Sequence, residues 1–177
     1  MSKSIWALDP THSELGFKVK HMMFTNVSGK FNQFTVALEN ENDDFLSSQI
    51  EFSADIATID TGNPDRDNHL RSGDFFDAEK FPAMQFRSDS VKADGPQNFK
   101  VSGDLTIRDI TRPVVLDVEY SGMMKDPWGN TKIGVAIETR INRKDFGLTW
   151  NAALETGGVL VGEDVKIHSE LQFVKQS

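Results

Sequence analysis

The chain has 177 residues, of which 38% are hydrophobic and 26% are charged, and its formal net charge is −8. This length predicts a single domain, residues 1–177, with a sizeable core. The acidic balance and the lack of a basic run argue against nucleic acid or an anionic membrane surface as the main partner. The absence of cysteine excludes disulfides, thiol catalysis and cysteine-based metal sites.

The sequence shows no targeting or membrane-spanning pattern. No apolar run approaches the roughly 18 residues of a spanning helix, so we expect no stable membrane insertion. The first ten residues, MSKSIWALDP, lack the basic, then apolar, then small-residue pattern of a signal peptide. We therefore expect a cytoplasmic protein.

Apolar and polar residues alternate through most of the chain with the period of two that is typical of half-buried strands. The clearest example is the stretch from Ser48 to Ile56, in which every second residue is apolar. Phe31 falls out of phase with the residues that follow it, which predicts a bulge or bend near Asn32. The alternating positions form eight stretches, at residues 15–21, 31–38, 48–56, 84–89, 99–107, 114–120, 133–141 and 165–173.

Short turns join most of these stretches, with signals at Asp94-Gly95-Pro96 and Asp126-Pro127-Trp128-Gly129-Asn130. The residues from Arg143 to Gly162 are irregular, with Gly157-Gly158 as a flexible point. Antiparallel strands of this kind form a sandwich or an up-and-down barrel, and an even number lets the first strand pair with the last. We predict an all-β fold, an extended eight-stranded antiparallel up-and-down barrel.

One helical insertion, from Asn63 to Pro82, interrupts the strand pattern, and we call it the lid. Asn63 is a good N-cap and Pro64 suits the first helical position. Three large rings follow within seven residues and need burial: Phe75, Phe76 and Phe81. The pattern predicts a short helical lid between strands 3 and 4 that closes an apolar cavity. The alternative is a loop that plugs one end of the barrel.

No catalytic constellation stands out. The four histidines are dispersed, and no metal-ligand spacing, serine-nucleophile elbow or phosphate-binding glycine loop occurs. We therefore predict no enzyme, no cofactor and no metal. A histidine-dependent small-barrel enzyme acting on an apolar substrate, or with a three-histidine metal site, stays open as an alternative. So does a filled barrel with a structural or stress role.

Short motifs are spread in order over nearly the whole chain. They are Trp6-x-Leu8-Asp9-x-x-His12-Ser13, Phe17-x-Val19-x-His21, Gly29-x-Phe31, Arg66-Asp67-x-His69-Leu70, Asp74-Phe75-Phe76, Phe81-Pro82, Phe86, Gly103-x-Leu105-Thr106-Ile107, Thr111-x-x-Val114 and Phe146-Gly147. In this order and spacing they resemble the motifs of the YceI-like family of polyisoprenoid-binding, lipocalin-like proteins. The resemblance implies an extended lipocalin-like barrel that takes an isoprenoid or other long-chain amphiphile into its central tube, often as a homodimer. Many members of the family are exported to the periplasm.

The resulting hypothesis is a non-enzymatic carrier or store for a long-chain amphiphile, such as an isoprenoid, a quinone or a fatty-acid-like molecule. The residues predicted to line the tube or lie beside it are Phe17, Val19, Phe31, Phe52, Phe75, Phe76, Met84, Phe86, Leu105 and Ile107. The residues predicted to hold a polar or anionic head group are Arg66, His69, His12 and His21. Arginine suits that role because its planar guanidinium matches phosphate and carboxylate geometry.

Overall fold

The structure is a computed structural model that describes residues 2–22, 24–151 and 161–176. The predicted flexible point at Gly157-Gly158 lies outside these residues. The described residues form the strands β1 (Lys3–Leu8), β2 (Glu14–His21), β3 (Thr25–Phe31), β4 (Phe34–Glu41), β5 (Asp44–Asp55), β6 (Ile59–Asp60), β7 (Ala83–Ala93), β8 (Asn98–Ile107), β9 (Ile110–Lys125), β10 (Thr131–Asn142) and β11 (Val161–Gln176). One α-helix, α1 (Pro64–Arg71), and three short 3-10 turns, at Pro10–His12, Ile56–Thr58 and Arg143–Phe146, complete the elements.

The sheet closes into an antiparallel barrel, which confirms the predicted fold class. Its strand order is β1-β4-β5-β7-β8-β9-β10-β11, and β11 pairs back with β1. β2 continues the path of β1 along β11, because β1 pairs with residues 173–176 and β2 with residues 161–170. β3 likewise pairs with β2, and β6 pairs with β3. The barrel therefore has eight strand positions, three of which are occupied by broken strands.

The breaks follow from local sequence. At the predicted bulge or bend near Asn32 the strand is interrupted, since β3 ends at Phe31 and β4 begins at Phe34. The sequence analysis did not predict β1. The inward positions of this strand include the polar Ser4 as well as Trp6, which is 2% exposed. A strand of six residues with one polar inward position shows too little alternation to be recognised.

Two of the hairpin turns contain only two residues. Asn42 (φ 53°) and Asp43 (φ 60°) are both left-handed, as are Arg108 (φ 53°) and Asp109 (φ 62°). Two-residue turns of this hand match the twist of paired strands, and asparagine and aspartate tolerate them well. The strands therefore run closer to the turn tips than the apolar pattern indicates.

The helix of the lid forms where it is predicted, between β5 and β7. The Asn63 side-chain oxygen accepts hydrogen bonds from the backbone N–H of Asp65 (3.1 Å) and of Arg66 (3.2 Å). Asp67 is 7% exposed, and its Oδ1 accepts from the backbone N–H of Thr61 at 2.9 Å. Within the described ranges, no helix has the length and apolar character needed to cross a membrane.

Candidate ligand-binding tube

Two apolar cavities lie inside the barrel, and together we call them the tube. The lid-end cavity has a volume of about 80 Å³ and is bounded by the ends of β2, β10 and β11 and by the lid. The mid-barrel cavity has a volume of about 60 Å³. Leu15, Met84 and Ile167 line both cavities and therefore form the partition between them.

All ten apolar residues predicted at the tube line one of these cavities. Those at the lid-end cavity are Phe17, Val19, Phe31, Phe75, Phe76, Met84 and Ile107. Those at the mid-barrel cavity are Phe52, Phe86, Leu105 and again Met84. The eight that lie on strands come together because alternate residues of a strand point to the same face, and that face is turned inward here. Phe75 and Phe76 are contributed by the lid.

An aromatic chain connects the barrel wall to the lid. The Phe17 and Phe31 ring centroids are 5.7 Å apart, and the Phe31 and Phe76 rings meet edge to face at 6.1 Å. Gly29 lies opposite Phe17 in the ladder, and a Cβ at Gly29 would be 2.4 Å from Cζ of the Phe17 ring. Glycine at this position therefore lets the ring lie flat against the wall instead of projecting into the cavity.

The structure does not bring the four predicted polar residues to the tube, and none of them lines either cavity. Arg66 is bound to Thr61, whose Oγ1 accepts from Nε at 2.8 Å and whose carbonyl accepts from Nη2 at 2.9 Å. His12 lies on the outer surface, with Nδ1 2.8 Å from Asp9 Oδ2. This contact is the main reason why the pKa of Asp9 falls to about 2. His21 ends β2, opposite residues 25 and 161.

His69 supports the lid from outside the cavity. Its Nε2 is 2.8 Å from Asp74 Oδ2, and its ring centroid is 4.6 Å from Trp150 and 5.0 Å from Phe75. Phe75 in turn lines the lid-end cavity. His69 thus joins the lid to the segment that follows β10. It contacts Phe75, which lines the cavity, but does not line the cavity itself.

The mid-barrel cavity is lined by two hydroxyl side chains, Thr139 and Ser169. Among the described residues, the charged side chain that reaches the tube is Arg143, which the sequence prediction did not include. Arg143 is 3% exposed and lines the lid-end cavity. Its Nε donates to the carbonyl of Gly162 (2.8 Å) and its Nη2 to that of Val161 (3.3 Å). Its Nη1 donates to the carbonyls of Leu148 (2.5 Å) and Trp150 (2.9 Å). Arg143 therefore joins the 3-10 turn after β10 to the start of β11.

The charge of Arg143 has no carboxylate hydrogen-bond partner among the described residues. Burial lowers the pKa of its guanidinium, and the negative charge of Glu163 opposes that effect. Glu163 itself is paired with Lys144, whose Nζ lies 2.7 Å from Oε1. A guanidinium has five N–H donors, so one stays without an acceptor within this part of the chain. The lid end of the tube thus combines an apolar wall with one buried cation.

The opposite end of the barrel is closed by packed rings and paired charges. The Phe45 ring centroid is 4.7 Å from that of Phe99 and 4.8 Å from that of Tyr120. Burial and, to a lesser extent, the negative charge of Asp43 raise the pKa of Tyr120. Asp43 accepts a hydrogen bond from Lys175 at 2.7 Å, which lowers the pKa of this carboxyl.

Larger recesses lie outside the tube. Two open grooves of about 700 and 740 Å³ share Glu14 and Lys30 in their walls, so they are partly polar and face solvent. Among the residues that the structure describes, no group of three or more histidines, aspartates or glutamates is positioned to hold a metal ion. The apolar tube with Arg143 is therefore the candidate functional site.

Fold and interior together define a class of protein: a small closed antiparallel barrel with an apolar interior and a short helical lid. The model of the family described as "YceI-like domain" matches residues 6–173. A UPF0312 protein of Staphylococcus aureus is 41% identical over 169 residues, which cover 95% of this chain and 96% of that protein. The chain therefore belongs to the YceI-like domain family.

Solved structures show the same architecture. The Campylobacter jejuni YCEI protein superposes with a TM-score of 0.77 at 28% identity, covering 89% of this chain and 90% of that chain. A polyisoprenoid binding domain from Saccharophagus degradans superposes with a TM-score of 0.67 at 15% identity, covering 97% and 98%. At that identity the second comparison concerns the fold alone.

Proposed function

We propose that this protein binds one long-chain amphiphile without turning it over, and that it carries or stores this molecule with the apolar tail in the tube. Isoprenoids, quinones and fatty-acid-like molecules fit the description. The observation that carries the proposal is the row of two apolar cavities along the barrel interior, divided only by Leu15, Met84 and Ile167. The Saccharophagus degradans protein, which shares the fold, is itself a polyisoprenoid binding domain.

Binding a long tail requires the tube to widen. Ligand cavities typically measure about 300–1,000 Å³, whereas the two cavities here measure about 80 and 60 Å³. Met84 suits this demand, because an unbranched thioether adapts to new packing more readily than a branched side chain. Each square ångström of tail removed from water contributes on the order of 25 cal/mol, less the cost of ordering the tail.

Arg143 gives the ligand a direction in the tube. A head group that carries a carboxylate or a phosphate gains a charge-assisted hydrogen bond at the lid end, where Arg143 lines the cavity. The tail then extends past Met84 towards the mid-barrel cavity. The wall recognises the length and width of a tail, so discrimination between head-group chemistries depends on Arg143.

The first test is native mass spectrometry of protein purified without detergent, followed by organic extraction. We expect a co-purifying long-chain molecule at about one per subunit, since the cavities lie in a single row. Fluorescence titration with cis-parinaric acid, a polyene fatty acid, then measures affinity. Phe17→Glu at the tube wall should weaken this binding far more than Glu51→Lys on the outer face. Equal effects of the two variants would contradict the proposed binding site.

The small size of the cavities favours one other function, a filled barrel with a structural role. In that case the purified protein carries no apolar molecule, and added isoprenoids or fatty amphiphiles do not raise its melting temperature. Ligand-dependent stabilisation without turnover distinguishes the proposed binder from that alternative.

Homodimer formation and a cytoplasmic location stay predictions. Sedimentation velocity at micromolar concentration tests the first, and a single monomeric species would contradict it. Fractionation of cells that produce the full protein tests the second.

A further inference from the structure

The turn between β2 and β3 places two large apolar side chains in solvent, and we call Met22 and Phe24 the hairpin tip. Phe24 is 84% exposed and Met22 is 41% exposed. The phenyl ring of Phe24 has no group that can form a hydrogen bond with the surrounding water. A single exposed apolar side chain is ordinary, but two on one turn at the rim of the tube form an apolar projection that a lipid surface can accommodate.

The hairpin tip lies at the lid end of the tube. Val19 of β2 and Val161 of β11 line the lid-end cavity. His21, which immediately precedes the tip, pairs with Val161 in the ladder. The tip therefore projects beyond the same strand ends that form the rim of the cavity, on the side where Arg143 is buried.

The tip is held in place by the backbone around it. The N–H of Phe24 donates to the carbonyl of His21 at 3.2 Å, which closes the turn. The β2–β3 ladder continues without a register shift from His21 opposite Thr25 to Gly16 opposite Lys30. Met22 has a left-handed backbone with φ 53°. A paired hairpin of this kind presents the two side chains as a convex point.

A convex point of two side chains suits a lipid surface better than a protein. Stable protein interfaces bury about 1,200–2,000 Å² with complementary shapes, which two side chains do not provide. A bilayer requires no complementary shape, and phenylalanine is among the side chains that interfacial segments bury at the boundary between head groups and acyl chains. Lys18 and Lys20 lie on the exposed face of β2 and form no ion pair with the described residues, so they are available to lipid phosphates.

We infer that the hairpin tip docks the lid end of the barrel on a phospholipid bilayer. The use of this contact rests on the proposed function, because docking would bring the rim of the tube to the membrane from which an amphiphile is taken or to which it is delivered. The net charge of −8 opposes long residence on an anionic surface. The contact is therefore weak and reversible, as exchange between a carrier and a membrane requires.

Vesicle flotation tests the inference directly. The probe is phosphatidylcholine vesicles with about one fifth phosphatidylglycerol, a content that gives the surface a negative potential. Phe24→Glu places a charge in the docking point, and we expect it to lower the vesicle-bound fraction at least about fivefold. The matched control is Trp128→Glu in the β9–β10 turn at the opposite end, where the tryptophan is 82% exposed. This control should leave vesicle binding unchanged.

Four results would overturn the inference. Wild-type protein that does not float with vesicles is one, and equal losses in the two variants are another. A loss in Trp128→Glu alone would assign docking to the opposite end of the barrel. If the protein self-associates through Phe24 but does not bind vesicles, the tip is an interface between copies, and the inference is wrong.

A second measurement separates this inference from the proposed function. Binding of cis-parinaric acid in vesicle-free solution should be the same in Phe24→Glu as in the wild type, since Phe24 does not line the tube. Vesicle binding with no binding of the fatty acid would leave docking in place and contradict the proposed function. Fatty-acid binding without vesicle binding would leave the proposed function in place and contradict docking. Equal midpoints of urea unfolding show that both variants fold.

Discussion

The two ends of the barrel differ in how their charged side chains are paired. At the end opposite the lid, the cation of Lys175 lies 2.7 Å from the carboxylate of Asp43, and the rings of Phe45 and Tyr120 pack beside this pair. At the lid end, Arg143 donates only to backbone carbonyls among the described residues. The first end has balanced its charge internally, whereas the second retains a buried positive charge next to a cavity.

This difference assigns separate roles to the two ends. Neither cavity is lined by Phe45, Phe99 or Tyr120, so these three rings contribute packing and not the wall of the tube. The lid end contributes the larger cavity and, within the described ranges, the buried cation of Arg143 that lines it. Substitutions at the closed end should therefore change stability alone, and substitutions at the lid end should change both stability and binding.

The largest effect on stability is expected from Phe45→Ala. Phe45 is 4% exposed, and removing its ring leaves a cavity between Phe99 and Tyr120. We expect the free energy of unfolding to fall by about 4 kcal/mol, as measured by urea denaturation. Affinity for cis-parinaric acid should stay within about twofold, because distant sites act independently. A large loss of affinity in a folded variant would show that the ligand extends to this end.

Arg143→Met should act on both properties. It removes four hydrogen bonds from a charged donor but also relieves the desolvation of that charge, so we expect a loss of about 3 kcal/mol in unfolding free energy. Affinity for cis-parinarate should fall about tenfold, and affinity for a long-chain alcohol should change little.

Arg143→Lys is the matched control, because it retains the charge with fewer donors. It should recover part of the carboxylate preference. If the carboxylate and the alcohol lose affinity equally in Arg143→Met, the arginine shapes the cavity and does not select the head group.

Gly29→Ala tests the wall of the tube with a smaller change. The added Cβ would lie 2.4 Å from Cζ of Phe17 and 2.9 Å from Cγ2 of Thr61, so the ring must move towards the lid-end cavity. We expect a loss of about 1–2 kcal/mol in stability and weaker binding of cis-parinaric acid. Gly73→Ala is the control in the lid, since no atom lies within 4 Å of its added Cβ. Unchanged binding in Gly29→Ala would show that Phe17 does not bound the ligand.

The sequence predicts the wall of the tube well because strand alternation is a local signal. Phe52 and Phe86 lie on neighbouring strands directly opposite each other, and each was placed from its own strand alone. The same signal could have found Arg143. Its position differs from those of Ile137 and Ile141 by an even number, so the alternation that turns these two isoleucines inward also turns Arg143 inward. The irregular segment predicted to start at Arg143 separated it from that strand.

The four head-group residues were predicted from side-chain type alone, without a signal for their position in the fold. None of them lines a cavity, so this part of the predicted site differs from the structure. His12 and Arg66 have side chains suited to head groups, but both follow turn or helix caps. In the folded chain each side chain contacts a nearby residue instead of a ligand: His12 contacts Asp9, and Arg66 donates to Thr61. Whether a polar side chain in a turn faces the cavity depends on tertiary packing, which composition and spacing do not encode.

The smallest expected effect concerns pH at the closed end of the barrel. Asp126 accepts from the backbone N–H of Trp128 and of Asn130, both at 2.9 Å, and from the Asn130 side chain at 3.0 Å. The Asn130 side chain contributes most to lowering the pKa of Asp126 from 3.8 to about 2. A carboxyl whose pKa is lower in the folded state than in the unfolded state stabilises the fold at every pH above its unfolded pKa. This stabilisation is lost as the pH falls towards the folded pKa of about 2.

Asp126→Asn should therefore reduce the dependence of stability on pH between about 4 and about 2. Urea midpoints measured across that interval check this result, and Asp9→Asn is the parallel control, because Asp9 also has a pKa of about 2. Each variant should remove its own part of the slope, and neither should change fatty-acid affinity at neutral pH. If Asp126→Asn keeps the wild-type slope, the turn does not hold this carboxylate in its charged form. If it weakens fatty-acid binding, the closed end is coupled to the tube and the separation of the two ends fails.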